Sequence, residues 1–192
     1  MYYELGIQIR KDCNMKNKYG YARVILIGII IIACATTNPA NYRKPTPTLI
    51  ICGQTTDSSL EEHLISLINQ KRQQNHLAEW KINPNLMLAA RNHSNDMVCN
   101  NYYSNNNQTG AGWHEMMIEA GYLVSYGAET TIAGEKDPQK ILISLMNNKD
   151  ASGYSLVLDP IPVEVGVGYA NLTGTKYTDY WTIFAAKPSP FQ

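Results

Sequence analysis

The sequence predicts an α+β fold in which helices cover an antiparallel β-sheet. Three observations lead to this prediction. Amphipathic patterns with helical spacing come first in the region 58–188, two runs that alternate with period two come last, and a short turn-forming segment joins those two runs. Helices followed by strands are typical of an antiparallel sheet packed against a layer of helices.

The first predicted helix begins at a capping box. Ser58 and Glu61 have the spacing at which each side chain bonds a backbone amide of the first turn. The basic residues Lys71 and Arg72 fall in the last turn, where they complement the helix dipole. The apolar face of this helix consists of Leu60, Leu64, Leu67 and Ile68.

Three further helices are predicted. Asn83-Pro84 supplies an N-cap and a first residue, Asp137-Pro138 begins another helix in the same way, and a short helix over 113–120 ends at Gly121. The apolar faces of the two longer helices are Leu86, Ala89, Ala90, His93 and Met97 in the first, and Ile141, Leu142 and Leu145 in the second.

Two strands are predicted near the end of the chain. In "PVEVGVGYANL" the side chains of Val163, Val165 and Val167 share one face. The run "YTDYWTIFAA" follows after Thr173-Gly174-Thr175, which is typical of a hairpin connection. A shorter strand is expected within residues 122–133.

The first 33 residues predict a secretory signal peptide. Met15, which we interpret as the true start, opens a basic region, and Val24 to Ala33 form an apolar run that is short for a membrane span. Ile31-Ile32-Ala33-Cys34 resembles the bacterial lipoprotein box, in which cleavage precedes a cysteine that is then lipidated. A short uncleaved membrane anchor is the alternative. We therefore expect a signal over 1–33, a lipid-anchored tether over 34–57, a domain over 58–188 and a tail over 189–192.

Export makes the cysteines informative. Cys13 lies in or before the signal and Cys34 would carry the lipid, so Cys52 and Cys99 remain as a pair in an oxidising compartment. A disulfide between them is expected, and a buried free Cys99 on its helix is the alternative. The formal net charge is zero and no basic stripe occurs, which argues against a nucleic-acid partner.

Several motifs, taken in order, resemble the CAP superfamily, the domain of cysteine-rich secretory, antigen 5 and pathogenesis-related-1 proteins, in its compact bacterial form. The resemblance covers about residues 58–187. The matching segments are Leu67-Ile68-Asn69 with the basic residues that follow, Ala89 through Met97, Gly127-Ala128-Glu129, Glu164 through Tyr169, and Tyr180-Trp181-Thr182.

The resemblance implies a three-layer α-β-α sandwich with a central cleft. In many members that cleft holds two histidines and one or two acidic residues that bind a divalent metal. This sequence departs from the pattern, because Asn105 follows the aromatic-serine pair where the first histidine would stand and Gly153 takes the place of the second. Glu129 remains. We therefore expect no metal and no cofactor at this cleft.

Two other histidines are candidates for the cleft. His93 has helical spacing with apolar residues, which favours a hydrogen-bonded core histidine over a ligand, and His114 follows a tryptophan at an exposed helix start. No catalytic residues are assigned, because no serine or cysteine has the surroundings of a nucleophile.

The resulting expectation is a binding or scaffold module of the cell envelope, attached to the membrane through Cys34, with a small apolar ligand or an envelope component as its partner. The alternative is an envelope hydrolase that uses Glu129 as general base with His93 or His114.

Overall fold

The structure, a computed structural model, describes residue 52, residues 57–147, residue 149 and residues 152–190. All of them belong to the unit Lys44–Gln192. In chain order the elements are α1 (Ser58–Gln74), β1 (Lys81–Ile82), α2 (Pro84–Cys99), α3 (Trp113–Glu119), β2 (Val124–Ala133), α4 (Pro138–Asn147), α5 (Ser152–Val157), β3 (Glu164–Asn171) and β4 (Asp179–Pro188). The predicted signal, Cys34 and most of the predicted tether lie outside the described residues. Among the described helices, none combines the length and the hydropathy that crossing a membrane requires.

The four strands form one sheet in the order β1-β3-β4-β2. Strand β4 pairs antiparallel with both β3 and β2, whereas β1 pairs parallel with β3, so the sheet is mixed. The sequence could not predict β1, because two residues carry no periodicity. Strand β2 spans ten residues and is longer than expected.

The helices cover both faces of this sheet. Helices α2 and α3 pack with Phe184 and Ala186 on one face, and helices α1, α4 and α5 pack with Val165 and Ile183 on the other. The predicted α+β three-layer sandwich is therefore confirmed. Helix α2 lies so close to β3 that a Cβ atom at Gly168 would stand 2.2 Å from the carbonyl carbon of Ala90.

The start of α1 corrects one prediction. Asp57, not Ser58, is the N-cap, and its Oδ1 accepts a hydrogen bond from the backbone N–H of Ser59. Glu61 takes no part in a capping box. Its buried carboxylate pairs with Arg91 of α2 at 2.5 Å and accepts the N–H of Tyr169 from β3 at 3.0 Å. Glu61 thus ties two helices to the sheet.

The other helix starts follow from their local sequence. Asn83 caps α2 as expected, since its Oδ1 accepts hydrogen bonds from the N–H groups of Asn85 and Leu86. The predicted apolar face of α2 is buried along its whole length. Helix α5 was not predicted, because six residues with a glycine at the second position carry little helical pattern.

A disulfide joins Cys52 to Cys99, the last residue of α2, with Cα atoms 5.7 Å apart. It is the pairing that the predicted export of the chain led us to expect. The bond holds Cys52 at the C-terminal end of α2.

Candidate functional site

A buried pair of ionisable side chains links α2 to β2. Nδ1 of His93 lies 2.6 Å from Oε1 of Glu129, and the two side chains are 0% and 3% exposed. His93 comes from the buried face of α2, and Glu129 projects from β2 toward that helix. Burial raises the pKa of the Glu129 carboxyl above its usual range, and the neighbouring His93 offsets part of that rise.

Each member of this pair keeps one polar atom without a hydrogen-bond partner in the described part of the chain. These atoms are Nε2 of His93 and Oε2 of Glu129, and both are buried. Each of the two side chains is therefore hydrogen-bonded through only one of its two polar atoms. Because neither side chain is exposed, a substrate cannot reach Glu129 or His93 in this conformation.

The asparagine run lies in a loop that is hydrogen-bonded to β2 and also forms hydrogen bonds within itself. Oδ1 of Asn105 accepts a hydrogen bond from the Thr131 hydroxyl at 2.7 Å, and the Tyr103 hydroxyl donates to the Thr131 carbonyl at 2.8 Å. Asn107 accepts bonds from the backbone N–H groups of Thr109 and Ala111. The amides of this run thus act as turn-forming groups.

Gly153 lies in α5 and is buried against α4. A Cβ atom at this position would stand 2.4 Å from Cδ2 of Leu145. The absence of a side chain at Gly153 therefore lets the two helices approach closely. A histidine here would require the side chain of Leu145 to move.

An open pocket lies at the free edge of β2. On one side of it is the loop over residues 100–112, called the Tyr103 loop below, and on the other are helices α4 and α5. Its volume is about 350 Å³. The residues that line it are Tyr103, Thr130, Thr131, Ile132, Ala133, Ser144, Leu145, Ser152 and Gly153. Its polar lining consists mainly of hydroxyl groups, so the pocket offers hydrogen bonds without a fixed charge.

These residues do not fit the divalent metal of the resemblance. The Asn105 carboxamide oxygen is bonded to Thr131, Gly153 has no ligating atom, and Glu129 is paired with His93. Within the described residues no group of three or more His, Cys, Asp or Glu side chains is arranged to hold a metal ion. One carboxylate and one imidazole make too few ligands for such a site.

His114 lies apart from this buried pair. Its side chain is 53% exposed at the start of α3, where the ring contacts Trp113 and Nδ1 lies 3.7 Å from Glu115. Sequence reasoning did not single out Thr130 and assigned no role to Tyr103, although both line the pocket. The pattern "ETTIA" on an expected strand and the aromatic pair before the asparagine run were the available signals.

Comparison with known proteins decides the family. The family model of cysteine-rich secretory proteins, CAP, matches residues 65–184, which is more than half of the chain. The chain belongs to the CAP family. Among curated proteins, this CAP chain is 27% identical over 146 residues to the uncharacterized protein YkwD of Bacillus subtilis (strain 168). The match covers 76% of this chain and 53% of that relative, so the chain spans about half the relative's length.

Solved structures show the same CAP fold. An extracellular protein containing a SCP domain from Bacillus anthracis gives a TM-score of 0.60 at 18% identity, over 68% of this chain and 41% of that one. An outer surface protein from Borrelia burgdorferi gives a TM-score of 0.64 at 13% identity, over 71% and 98%. A cysteine-rich secretory protein from Staphylococcus aureus gives a TM-score of 0.54 at 18% identity, over 68% and 39%.

Proposed function

We propose that this CAP chain is a non-catalytic binding or scaffold module on the outside of a bacterial cell, attached to the membrane by a lipid on Cys34. The observation that carries the proposal is the burial of Glu129 and His93 against each other. General acid–base catalysis requires groups within hydrogen-bond reach of a substrate, and these two groups have no open approach.

The pocket at the edge of β2 supports a binding role. It is open and lined by hydroxyl groups, whereas the side chains of the buried pair are not exposed. A lining of hydroxyls favours a ligand that forms hydrogen bonds over the small apolar ligand expected from the sequence. We therefore propose a polar envelope component as the partner.

The proposed address rests on the signal and on the relatives. The segment that ends at Cys34 has the form of a lipoprotein signal. Two of the similar solved structures are described as an extracellular protein and an outer surface protein. The disulfide between Cys52 and Cys99 suits an oxidising compartment outside the cytoplasm.

The attachment is tested on the mature protein purified from membranes. Mass spectrometry should find a diacylglyceryl group on an N-terminal Cys34, and Cys34→Ala should move the protein from the membrane fraction to the medium. Cys52→Ala serves as the matched control and should leave the protein in the membrane. An intact N-terminus, or a Cys34→Ala variant that stays in the membrane, would contradict the proposal.

The non-catalytic role is tested with isolated envelope material. The protein should sediment with that material in a saturable way, release no new amino groups from it, and behave identically as the Glu129→Gln variant. Release of amino groups that stops in Glu129→Gln would favour the hydrolase instead. Failure to bind envelope material would remove the binding function.

A further inference from the structure

We propose that the pocket beside β2 binds an extended peptide segment, which adds to the free edge of the strand at Thr131–Ala133. The inference rests on the proposed binding function and names the chemical class of the ligand. Three features support it: the strand edge, two pocket hydroxyls that have no partner among the described residues, and the position of the Tyr103 side chain.

The edge of β2 presents backbone groups to the pocket. Strand β2 pairs with β4 on one side only, and in an antiparallel pair alternate residues turn their N–H and C=O groups away from the partner strand. The Thr131 carbonyl accepts a hydrogen bond from the Tyr103 hydroxyl, so the backbone groups of Thr131 point away from β4. The backbone groups of Ala133, two residues along, point the same way as those of Thr131. The N–H of the next residue, Gly134, donates to the Asp179 carbonyl on the opposite side. This spacing matches an added strand.

Two hydroxyl groups beside this edge have no hydrogen-bond partner among the described residues. Thr130 is only 5% exposed and lines the pocket, yet it forms no side-chain hydrogen bond among the residues that the structure describes. Ser144 of α4 lines the same pocket, and the described residues give its hydroxyl no partner either. Thr130 and Ser144 both line the open pocket, so a ligand bound there can form hydrogen bonds with their hydroxyls.

Tyr103 occupies the place that an added strand would take. Its hydroxyl donates to the Thr131 carbonyl at 2.8 Å, as the N–H of a paired strand would. The side chain is 45% exposed and its ring meets Tyr177 edge to face. The hydroxyl of Tyr103 thus protects the edge until a peptide displaces it.

The backbone edge favours a peptide over a sugar. A sugar could bond the hydroxyls of Thr130 and Ser144, but it has no regular series of donors and acceptors to match Thr131 and Ala133. A peptide strand has that series and can also place a polar side chain against the hydroxyls. The sugar is therefore the alternative that the experiment has to separate.

The test uses the full-length protein in detergent micelles, labelled with ¹⁵N. The probe is a blocked peptide of alternating threonine and valine, with a lysine at each end for solubility. Its binding should shift the amide signals of Thr131 and Ala133. The same peptide with every amide nitrogen methylated should bind at least about tenfold more weakly, because it has no N–H groups to pair.

Two variants and a control sharpen the result. Tyr103→Phe removes the competing hydroxyl and keeps the ring, so the peptide should bind about three- to tenfold more tightly. Thr130→Val keeps the shape without the hydroxyl and should weaken binding by a similar factor. Tyr126→Phe, at the other end of β2 where the hydroxyl bonds Asp159, should leave the affinity unchanged.

Three results would overturn the inference: no binding of the peptide, equal binding of its methylated form, or amide shifts confined to residues away from the β2 edge. A soluble chito-oligosaccharide provides the second arm. If it shifts the signals of Thr130 and Ser144 while the peptide does not, the peptide class is wrong and the binding function stands. The binding function fails separately, through the envelope sedimentation described above.

Discussion

At the scale of single residues, two buried carboxylates in this domain have different surroundings. Glu61 is fully satisfied, with a bidentate contact to Arg91 and the N–H of Tyr169. Glu129 has one imidazole neighbour and keeps one oxygen without a partner among the described residues. Glu61 therefore stabilises the fold through its contacts, whereas burial raises the pKa of Glu129 and makes the contribution of that residue depend on pH.

Arg91→Met should destabilise the domain by about 3 kcal/mol, because the charge of Glu61 would stay buried without its cation. Chemical unfolding in urea gives the change in free energy. Lys140→Met removes a cation from an exposed pair with Glu135 at 3.5 Å and is the matched control. Its unfolding midpoint should stay unchanged, and equal losses in the two variants would contradict the role given to Glu61.

Glu129→Gln should change how stability depends on pH. The folded-state pKa of Glu129 lies above its ordinary value of 4.5, so the folded chain binds the proton more readily than the unfolded chain. The protonated carboxyl therefore adds to the free energy of unfolding below pH 4.5. This stabilisation is lost as the pH rises from 4.5 through the raised pKa, by about 1.4 kcal/mol for each pH unit between the two values. The wild type should therefore lose stability relative to Glu129→Gln over this range.

Melting temperatures measured at successive pH values test this expectation. Glu119→Gln, on the exposed side of α3, is the control and should give a curve parallel to the wild type. Parallel curves for Glu129→Gln as well would mean that the buried carboxyl titrates normally.

At the scale of elements, the contact between α2 and β3 positions the site. Gly166 and Gly168 place the strand directly against the backbone of the helix, with no space for a Cβ atom at either position. This approach holds the buried face of α2 over the sheet, where His93 meets Glu129. The site therefore depends on backbone packing as well as on its own side chains.

Gly168→Ala should destabilise the domain by about 3 kcal/mol, since its Cβ atom would lie 2.2 Å from the Ala90 carbonyl carbon and the contact is with backbone on both sides. Gly112→Ser is the control, because a Cβ atom there meets only Oε2 of Glu115 at 3.5 Å and serine is a good N-cap for α3. Thermal unfolding compares the two. A Gly168→Ala variant as stable as Gly112→Ser would contradict this packing.

At the scale of the whole molecule, the disulfide between Cys52 and Cys99 joins positions that are 47 apart in sequence. It closes a loop that contains α1, β1 and α2. A cross-link over a loop of this length restricts the unfolded chain more than it changes the folded one. The domain therefore gains stability from the oxidising compartment in which we propose that it resides.

The double variant with Cys52→Ser and Cys99→Ser should lose about 2–4 kcal/mol of unfolding free energy. Urea unfolding with and without a thiol reductant measures it. Reductant should lower the midpoint of the wild type toward that of the variant and should leave the variant unchanged. A wild-type midpoint that does not respond to reductant would show that the bond contributes nothing.

Local features of the sequence determined much of the fold. Asn83-Pro84 and Asp137-Pro138 set helix starts through capping and the fixed backbone angle of proline, which act within one turn. Apolar residues at every second position around Val165 and Val167 predicted β3, because the two-residue period of a strand is visible within a few residues. Val165 and Val167 also lie in the segment Glu164 through Tyr169, which is one of the segments that carried the family resemblance, and the matched family model bears that resemblance out.

Only the tertiary structure decided which distant side chains meet. His93 and Glu129 are 36 positions apart, and Glu61 and Tyr169 are 108 apart, so no local pattern pairs them. Glu61 has the spacing of a capping residue, yet burial under α2 assigns it to Arg91 instead. The pocket likewise exists only once the Tyr103 loop and α5 meet the edge of β2. Such contacts depend on how whole elements pack, which sequence periodicity does not encode.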